Sequence, residues 1–413
     1  MAARVAVVGA GPNGLSIAAH LNARGLQPLV FGKTMEFWRD SMPAGMKLKS
    51  DGFASNFSEP SGRFTLKAFC EAHRLPYADM NEPIPLDTYI AYGEAFQQRF
   101  APQVDSRYVK TVTRNGEGFS LELEDGTVAE ADDVVIATGL SSFAHVPAPL
   151  AHISGERLSH SSAISDCSRF AGKRLLIVGA GASATDVAAS MVKAGAEVFL
   201  VCRDRTLEYV EGGKTRSWWR RLLAPNTPVG PGWKRVFITT FPNLFALFPD
   251  WLRVFIVDNM LGPSPAWFVR PEIEGRIRVL PAREILGARE NASGVDIELG
   301  RVGAQIEYFR ADHIVAATGY RPDIHRLPML SPELLAEVTL IEGSPRLSAT
   351  FESSASGLYF TGASAAYTFG PMLRFVCGAD FAARRIAAAL DLRALSQVPS
   401  TPVAPRIIRL ARP

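Results

Sequence analysis

The chain opens on a pattern of apolar positions that predicts a strand followed by a helix. Residues 5–8 read Val-Ala-Val-Val, an uncharged run rich in β-branched residues, which predicts a short buried strand. Apolar residues then recur at helical spacing over 15–21. Between these segments, Gly9, Gly11 and Gly14 have the spacing G-x-G-x-x-G, which permits a tight turn, close approach of a pyrophosphate and close helix–strand packing. The stretch predicts a dinucleotide site at a helix N-terminus, and a plain strand-to-helix turn is the alternative.

A second copy of this pattern lies near the middle of the chain. A predicted strand over 174–178 is followed by Gly179 and Gly181, and then by a predicted helix over 186–193. Ala184 stands in the place of the third glycine and, being small, still allows close packing. Two copies predict two dinucleotide-binding units.

Each unit is closed by a buried strand that ends in Ala-Thr-Gly, at 134–139 and at 312–319. A further strand is predicted at 357–362, after the second unit is complete. The sequence therefore predicts an α/β fold with two Rossmann-like dinucleotide-binding domains, one inserted into the other. The predicted divisions are 1–165 for the first part of the outer domain, 166–320 for the inserted domain, and 321–413 for the second part of the outer domain.

The residue that follows the second strand of such a unit is usually an Asp or Glu whose carboxylate contacts the ribose hydroxyls. In the first unit Gly32 occupies this place and Lys33 follows it. Either Glu36 substitutes for the missing acid, or the backbone and Lys33 make the contact. In the second unit Arg203 and Arg205 follow the strand, and guanidinium groups there favour a 2′-phosphate. The alternative is that they only solvate the end of the strand.

Two further regions extend the basic fold. Residues 108–135 alternate apolar and polar positions around turns at 115–116 and 125–126, which predicts a small antiparallel meander. Residues 206–275 hold five of the six tryptophans and many prolines, and their longest uncharged part is too short to span a bilayer. This insertion is interpreted as an apolar substrate lid or a surface that touches a membrane or partner; the alternative is a helical insertion with its own small core.

Composition narrows the function classes. A length of 413 residues predicts more than one domain, and a net charge of +3 gives no reason to expect nucleic-acid binding. The four cysteines lie far apart and form neither a C-x-x-C pair nor a zinc-ligand spacing, which suits a reducing, cytoplasmic location. No apolar run approaches the roughly 20 residues that a spanning helix requires.

Taken together, these features resemble the class B flavoprotein monooxygenases, the group of flavin-containing, Baeyer–Villiger and N-hydroxylating enzymes. The resemblance rests on the motifs at 9–14 and 179–184, on both Ala-Thr-Gly turns, and on Leu-Ser-His-Ser at 158–161. It implies FAD on the first unit and NADPH on the second. The family signature F-x-G-x-x-x-H, followed four residues later by Trp or Tyr, is altered here: Ile153 replaces the Phe and Ile164 the aromatic residue.

The resemblance also implies site residues. Asp51 falls where the family often places a polar side chain near the flavin, with Asn56 as the second candidate and loop capping as the structural alternative. Arg374 is expected to face the flavin or its phosphates. The implied cofactor-binding residues are Gly9, Ala10, Gly11, Pro12, Asn13, Gly14, Lys33, Glu36, Trp38, Thr138, Gly139, Gly179, Gly181, Ala182, Ser183, Ala184, Arg203, Arg205, Thr318, Gly319 and Gly362.

The function implied by the resemblance is an NADPH-dependent monooxygenase that inserts one oxygen atom from O2 into a small, apolar or amphipathic substrate through a C4a-(hydro)peroxyflavin. The hard chemistry would belong to the cofactor, so no catalytic triad or metal cluster is expected. One alternative is an NAD(P)H-dependent reductase that passes electrons to another acceptor. A non-enzymatic flavin-binding sensor is a third. Peripheral membrane contact through 206–275 is possible on this sequence, and the oligomeric state stays open.

Overall fold

The computed structural model describes residues 4–209, 218–262, 264–301 and 305–397. Its strands are β1 Val5–Val8, β2 Leu29–Phe31, β3 Val104–Asp105, β4 Val109–Asn115, β5 Gly118–Leu123, β6 Val128–Ala131, β7 Asp133–Ile136, β8 Leu158–His160, β9 Arg174–Val178, β10 Glu197–Val201, β11 Arg278–Leu280, β12 Glu284–Asn291, β13 Gly294–Gly300, β14 Glu307–Ala311, β15 His313–Ala316, β16 Leu340–Ile341, β17 Ser344–Pro345 and β18 Leu358–Phe360. Its α-helices are α1 Pro12–Asn22, α2 Glu36–Asp40, α3 Leu66–His73, α4 Leu86–Phe100, α5 Ala182–Lys193, α6 Trp218–Leu223, α7 Trp233–Thr240, α8 Pro242–Phe245, α9 Asp250–Asn259, α10 Arg270–Ile273, α11 Pro332–Ala336, α12 Ala366–Phe369 and α13 Ala379–Gln397.

The first parallel sheet joins the two ends of the chain. Its strand order is β18-β7-β1-β2-β3, so the late strand β18 pairs with β7 from the first third of the sequence. Every residue of β1 and β7 is buried, as expected for central strands of a parallel sheet covered on both faces. Helix α1 packs against both α4 and α13. The first glycine motif thus belongs to a unit built from both chain ends.

The second parallel sheet comes entirely from the middle of the chain, with the order β11-β10-β9-β15-β8. The segments that leave and re-enter the first unit run side by side: the N–H of His145 donates to Gly319 O at 3.0 Å, and the N–H of Arg321 donates to Phe143 O at 2.8 Å. The predicted fold class, two Rossmann-like units with one inserted in the other, is confirmed. The domain boundaries at 165 and 320 stay a prediction.

Most predicted elements are present, with differences at their ends. The predicted meander is formed by β4, β5 and β6. Apolar positions at helical spacing also predict helices over 66–73 and 86–100, and α3 and α4 have those bounds. Helix α5 begins at Ala182 rather than at residue 186, and β12 was not expected. The sequence of β12 has no regular alternation because Gly287 stands at a register shift in its pairing with β13. The sequence also predicts loose order for its last, Pro- and Arg-containing residues, and those beyond 397 lie outside the described residues.

The insertion forms short helices, α6 to α10, of which α7, α8 and α9 enclose a small core. Ile238, Phe245 and Val257 are buried there together with Ala366 of α12, so this core is shared with the C-terminal part of the first unit, whereas Ile273 of α10 packs in the core of the second unit. Among the described residues, none of the helices is long and apolar enough to cross a membrane. Of the interpretations given above for residues 206–275, a helical insertion with a small core describes the side that packs against α12.

A charged pair joins the C-terminal helix to the first sheet. Asp133 on β7 is fully buried, and burial raises the pKa of its carboxyl to about 6. Arg393 Nε on α13 lies 3.3 Å from Asp133 Oδ1, and Arg393 Nη1 donates to Glu352 Oε1 at 3.0 Å. The Arg393 charge therefore offsets part of the cost of burying an ionised carboxylate.

We expect Arg393→Met to lower the free energy of unfolding by about 2–3 kcal/mol near pH 8, because it leaves buried, ionised Asp133 without its counter-charge. Since the pKa of Asp133 lies above its unfolded value, stability falls as the pH rises through about 6. Removing Arg393 raises the pKa of Asp133 further, so the fall in stability continues to higher pH, and the loss is smaller near pH 5, where folded Asp133 is protonated. Urea unfolding at both pH values measures this. The expectation is contradicted if Arg393→Met lowers the free energy of unfolding equally at both pH values. It is also contradicted if the substitution has the same effect in an Asp133→Asn background.

Candidate functional site

A cleft opens at the carboxyl ends of the first parallel sheet, where ligands bind in folds of this kind. Its cavity volume is about 320 Å³, within the roughly 300–1,000 Å³ range of ligand pockets. The loop over 9–13 after β1 forms one wall, and the residues over 137–142 after β7 form another. The segments 362–363 and 373–376, from the C-terminal part of the chain, complete the lining.

Two glycines of the first motif are required by the packing of the backbone itself. Gly9 has a φ of +118°, and a Cβ there would lie 2.4 Å from the carbonyl oxygen of Ala137. A Cβ on Gly14 would lie 1.8 Å from the carbonyl oxygen of Gly9. The turn, the helix and the Ala-Thr-Gly strand are therefore in direct contact, which explains why the glycines and the Ala-Thr-Gly ending occur together.

Gly11 has a different role. A Cβ at this position would meet no protein atom within 4 Å, and the residue lines the cleft. Helix α1 begins directly after it with Pro12, without a side-chain cap and without an acidic residue in its first turn. The first N–H groups of the helix are thus left for an external acceptor, and the helix dipole favours an anion there. This wall of the cleft has the form of a pyrophosphate cradle.

The missing acid at the end of β2 has a structural cause. Gly32 has a φ of +116°, a conformation that residues with a side chain rarely adopt, so an Asp or Glu there would be strained. One turn further on, Glu36 lines the cleft, accepts a hydrogen bond from Tyr108 Oη, and lies 3.7 Å from Lys33 Nζ. The Tyr108 hydroxyl, together with the charge of Glu36, raises the pKa of Lys33. An acid and a cation are therefore both present at this end of the cleft.

Three buried polar atoms in or directly beside the cleft have no hydrogen-bond partner among the described residues. They are the amide oxygen of Asn13, the hydroxyl of Thr361 and Nε of Arg374. Asn13 and Arg374 line the cleft, and Thr361 precedes the lining residue Gly362. Buried polar groups are normally paired, so these atoms indicate a bound group with donors and acceptors. A flavin dinucleotide offers both, through its ribityl hydroxyls, ring N–H, ring carbonyls and phosphates, and the residues fit it.

The second motif repeats the geometry of the first. Gly179 has a φ of +136°, and a Cβ there would lie 2.3 Å from the carbonyl oxygen of Ala317. Gly181 caps α5, which again has no side-chain cap and no acid in its first turn. Ala184 is fully buried at the place of the third glycine, so its methyl group is accommodated. This is a second anion-binding helix N-terminus.

Arg203 and Arg205 lie just after β10 with exposed side chains. No ion pair of either residue occurs within the part of the chain that the structure describes. Arg205 also lines a separate surface pocket with Arg270 and Glu274. Two solvated guanidinium groups at this strand end are available to a phosphate, as the sequence suggested.

The comparisons with known proteins agree with this geometry. Residues 6–219, more than half of the chain, match the family described as pyridine nucleotide-disulphide oxidoreductase. The chain is 31% identical over 355 residues to the indole-3-pyruvate monooxygenase YUCCA1 of Oryza sativa subsp. japonica, covering 77% of each protein. It is 24% identical over 355 residues to a dimethylaniline monooxygenase (N-oxide-forming) of Cavia porcellus, covering 78% of this chain and 62% of that protein. The chain belongs to the class B flavin monooxygenases.

Among solved structures, the reduced form of the ornithine hydroxylase from Pseudomonas aeruginosa has the same fold. The TM-score is 0.75 at 16% identity, and the match covers 96% of this chain and all of that one. As a flavin monooxygenase, the protein uses FAD and NADPH as cofactors. The family description mentions a disulphide, but this sequence has no C-x-x-C pair, and its four cysteines are free thiols.

Many of the predicted cofactor residues lie together in the cleft of this flavin monooxygenase. The lining includes Gly9, Ala10, Gly11, Pro12, Asn13, Lys33, Glu36, Trp38, Thr138, Gly139, Gly362 and Arg374. Gly14 lies behind the wall, in contact with Gly9. Gly179, Gly181, Ala182, Ser183 and Ala184 surround the second helix N-terminus, and Thr318 and Gly319 follow β15 nearby. Their roles as binding residues remain predictions.

The two polar loop candidates, Asp51 and Asn56, do not line this cleft. Asn56 has both ends of its amide in use: Nδ2 donates to Phe53 O at 2.9 Å, and Oδ1 accepts from the N–H of Leu66 at 2.8 Å. Its contacts are those of loop capping, the structural alternative. Asp51 accepts a long 3.3 Å bond from the N–H of Asn81, and burial raises its pKa. Of the two, Asp51 keeps the freer carboxylate.

Sequence reasoning missed several residues of the site. Thr361 could have been found, because Thr361-Gly362 repeats the Thr-Gly ending of the strand at 134–139. No sequence pattern points to Tyr108, since it lies 72 residues from Glu36 and comes within hydrogen-bonding distance of it only because of the strand order in the sheet. Asp186 on α5, which lines a second pocket rather than this cleft, was also missed: burial raises its pKa to about 7, although the opposite charge of Lys49 acts to lower it.

The position of His160 between the two units favours a hydrogen-bonding role in the linker over that of a catalytic base, and its contacts are of that kind. Its Nε2 lies 3.1 Å from Gly319 O, and its Nδ1 lies 2.8 Å from Ser162 Oγ. Burial lowers the pKa of the imidazole, so the neutral ring is favoured. The side chain ties the linker to the Ala-Thr-Gly turn of the second unit.

Proposed function

We propose that this flavin monooxygenase inserts one atom of dioxygen into a small apolar or amphipathic organic substrate. The observation that carries the proposal is the contact between the aromatic insertion and the cofactor cleft. Arg374 lines the cleft, and its Nη2 donates to the carbonyl oxygen of Met260 in the insertion at 2.7 Å. Tyr367 on α12 likewise donates to Asp258 Oδ1 at 2.8 Å. The insertion therefore packs against the segment over 366–374, whose end lines the cleft.

We infer the following roles for the chain's own residues. The helix N-terminus at Gly11 binds the pyrophosphate of FAD, and Glu36 with Lys33 contacts its adenosine ribose in place of an acid at Gly32. Asn13 Oδ1 accepts from, and Arg374 Nε donates to, the flavin half of the cofactor. FAD reduced by NADPH supplies the electrons that activate dioxygen.

The insertion supplies the second requirement of this chemistry, an environment that excludes water. Its core residues Ile238, Phe245 and Val257 are buried with Ala366 of α12, so an apolar cluster lies behind the segment that supplies the lining residues 373–376. Apolar walls favour substrates that are themselves largely apolar. The names of the relatives support the same class, because indole-3-pyruvate and dimethylaniline are both aromatic.

The test uses the FAD-loaded enzyme with NADPH and 18O2. Three probes are compared: amphipathic indole-3-pyruvate, apolar N,N-dimethylaniline and, as a control without an aromatic ring, L-ornithine. We expect an aromatic probe to yield a product with one 18O atom per NADPH oxidised, the second oxygen atom leaving as water. Oxidised NADPH without labelled product from any probe, with electrons passing rapidly to an added acceptor, would instead identify a reductase. Labelled product from L-ornithine alone would contradict the apolar substrate class.

A further inference from the structure

The outer side of the insertion exposes an unusual set of large apolar side chains. The helices that share its small core bury one side and leave the other to solvent. Leu223 and Leu247 are 76% and 78% exposed, and Trp251 and Phe255 are 70% and 61% exposed. Trp233 and Leu244 belong to the same group. Single exposed apolar residues are ordinary on a protein surface, but a concentration within one segment indicates a contact surface.

The charged residues of the same segment are nearly all basic. Residues 218–249 contain four basic residues and no acidic residue. The two acids that follow on α9 already have partners: Asp250 pairs with Arg253 and Arg346, and Asp258 accepts a hydrogen bond from Tyr367. The segment therefore combines exposed apolar side chains with a net positive charge.

We propose that this surface, residues 218–256, docks the enzyme onto an anionic lipid bilayer without crossing it. Positive charge complements anionic headgroups, and exposed Trp, Leu and Phe side chains bury into the boundary between headgroups and acyl chains. Tryptophan prefers this boundary because its ring is apolar and its N–H is polar. The short helices suit this position, since the described ones are too short and polar to span a bilayer.

A second copy of the chain is a poorer occupant of the same surface. A twofold contact would place the segment against itself, and so the positive charge of residues 218–249 would meet an equal positive charge without acids to balance it. Among the described side chains over 218–256, the exposed large apolar ones are four leucines and five aromatic residues. Leucine is under-represented among the residues that dominate binding at protein interfaces, whereas Trp, Phe and Leu together are typical of helices that lie in the membrane interface.

The experiment is vesicle flotation of the FAD-loaded enzyme. Vesicles of phosphatidylcholine alone are compared with vesicles in which phosphatidylglycerol forms about one third of the lipid. The test variant is Leu223→Glu/Leu247→Glu, and the matched control is Leu392→Glu/Leu395→Glu, which changes two exposed leucines on α13. Since all four side chains are at least 63% exposed, neither variant disturbs the core. Flavin absorbance of each variant checks that the fold is kept.

We expect the wild type and the control to float with anionic vesicles, less so as salt is raised, and the test variant to partition at least about tenfold more weakly. Tryptophan emission should shift to the blue on binding in the wild type but not in the test variant. Absence of flotation at saturating lipid overturns the proposal, as does equal flotation of test variant and wild type. A dimer in solution that Leu223→Glu/Leu247→Glu dissociates, without vesicle binding, assigns the surface to a second copy. If the wild type binds neutral and anionic vesicles equally, attraction to anionic headgroups does not contribute and that part of the proposal is wrong.

Discussion

Gly11→Val is expected to fold as the wild type does and to lose FAD. A Cβ at Gly11 meets no protein atom within 4 Å, and its backbone is extended, so valine costs the polypeptide little. The added methyl groups enter the space next to the helix N-terminus where the pyrophosphate would lie, and FAD affinity should fall by about a hundredfold or more. Titration of the apoproteins with FAD, followed by quenching of flavin fluorescence, measures the loss.

The control for this variant is Gly155→Val. A Cβ at Gly155 would likewise meet no protein atom within 4 Å, and its φ is outside the left-handed region, but the residue lies outside the cleft. Both apoproteins should unfold within about 2 °C of wild type, since neither substitution creates a clash inside the protein. Gly9 and Gly14 cannot serve for this test, because a side chain at either would collide with backbone and abolish the fold together with the site. A Gly11→Val protein that holds a full equivalent of FAD would refute the assignment of this cradle.

Arg203→Ala is expected to raise KM for NADPH by about tenfold to a hundredfold while leaving KM for NADH within about a factor of two. The reason is the loss of a charge-assisted hydrogen bond to the 2′-phosphate, which is worth about 1.5–3 kcal/mol and which NADH cannot make. Stopped-flow reduction of the flavin with each nucleotide measures both constants without dependence on the organic substrate. Arg203→Lys should lie between alanine and wild type, because the charge is kept but the guanidinium fork is lost.

Arg276→Ala is the matched control for Arg203. Arg276 is an exposed arginine of the same unit that does not follow a strand of the second motif. Its removal changes the net charge equally and should leave both constants unchanged. If Arg203→Ala shifts the constants for NADPH and NADH by the same factor, the arginine acts on the nucleotide in general, and the 2′-phosphate contact belongs elsewhere.

The parts of the site that follow from local chemistry could be predicted from the sequence. A strand, three glycines and a helix within about twenty residues determine a turn whose geometry depends on near neighbours only. The structure repeats this turn at Gly9 and Gly179, each against an Ala-Thr-Gly ending. The cofactors and the family followed from this repetition.

Contacts between distant segments could not be predicted in this way. Asn56 was a candidate for chemistry because of its residue type, yet both ends of its amide are bound by backbone groups of Phe53 and Leu66. Glu36 was only one of two alternatives until its position beside Tyr108 and Lys33 was known. The spacing of residues in the sequence does not show which side chains already form hydrogen bonds with backbone groups in the folded protein.

The sequence by itself therefore determined the two nucleotide units, their nesting and their cofactors, because glycine patterns and strand endings are short-range features that permit few backbone arrangements. The tertiary structure decided which residues share the cleft, why Gly32 cannot be an acid, and where the insertion lies. Those outcomes depend on strand order and on helices packed from both ends of the chain. The insertion illustrates the difference: its composition predicted an apolar surface, but only the fold separates the side that covers the cofactor segment from the side that faces outward.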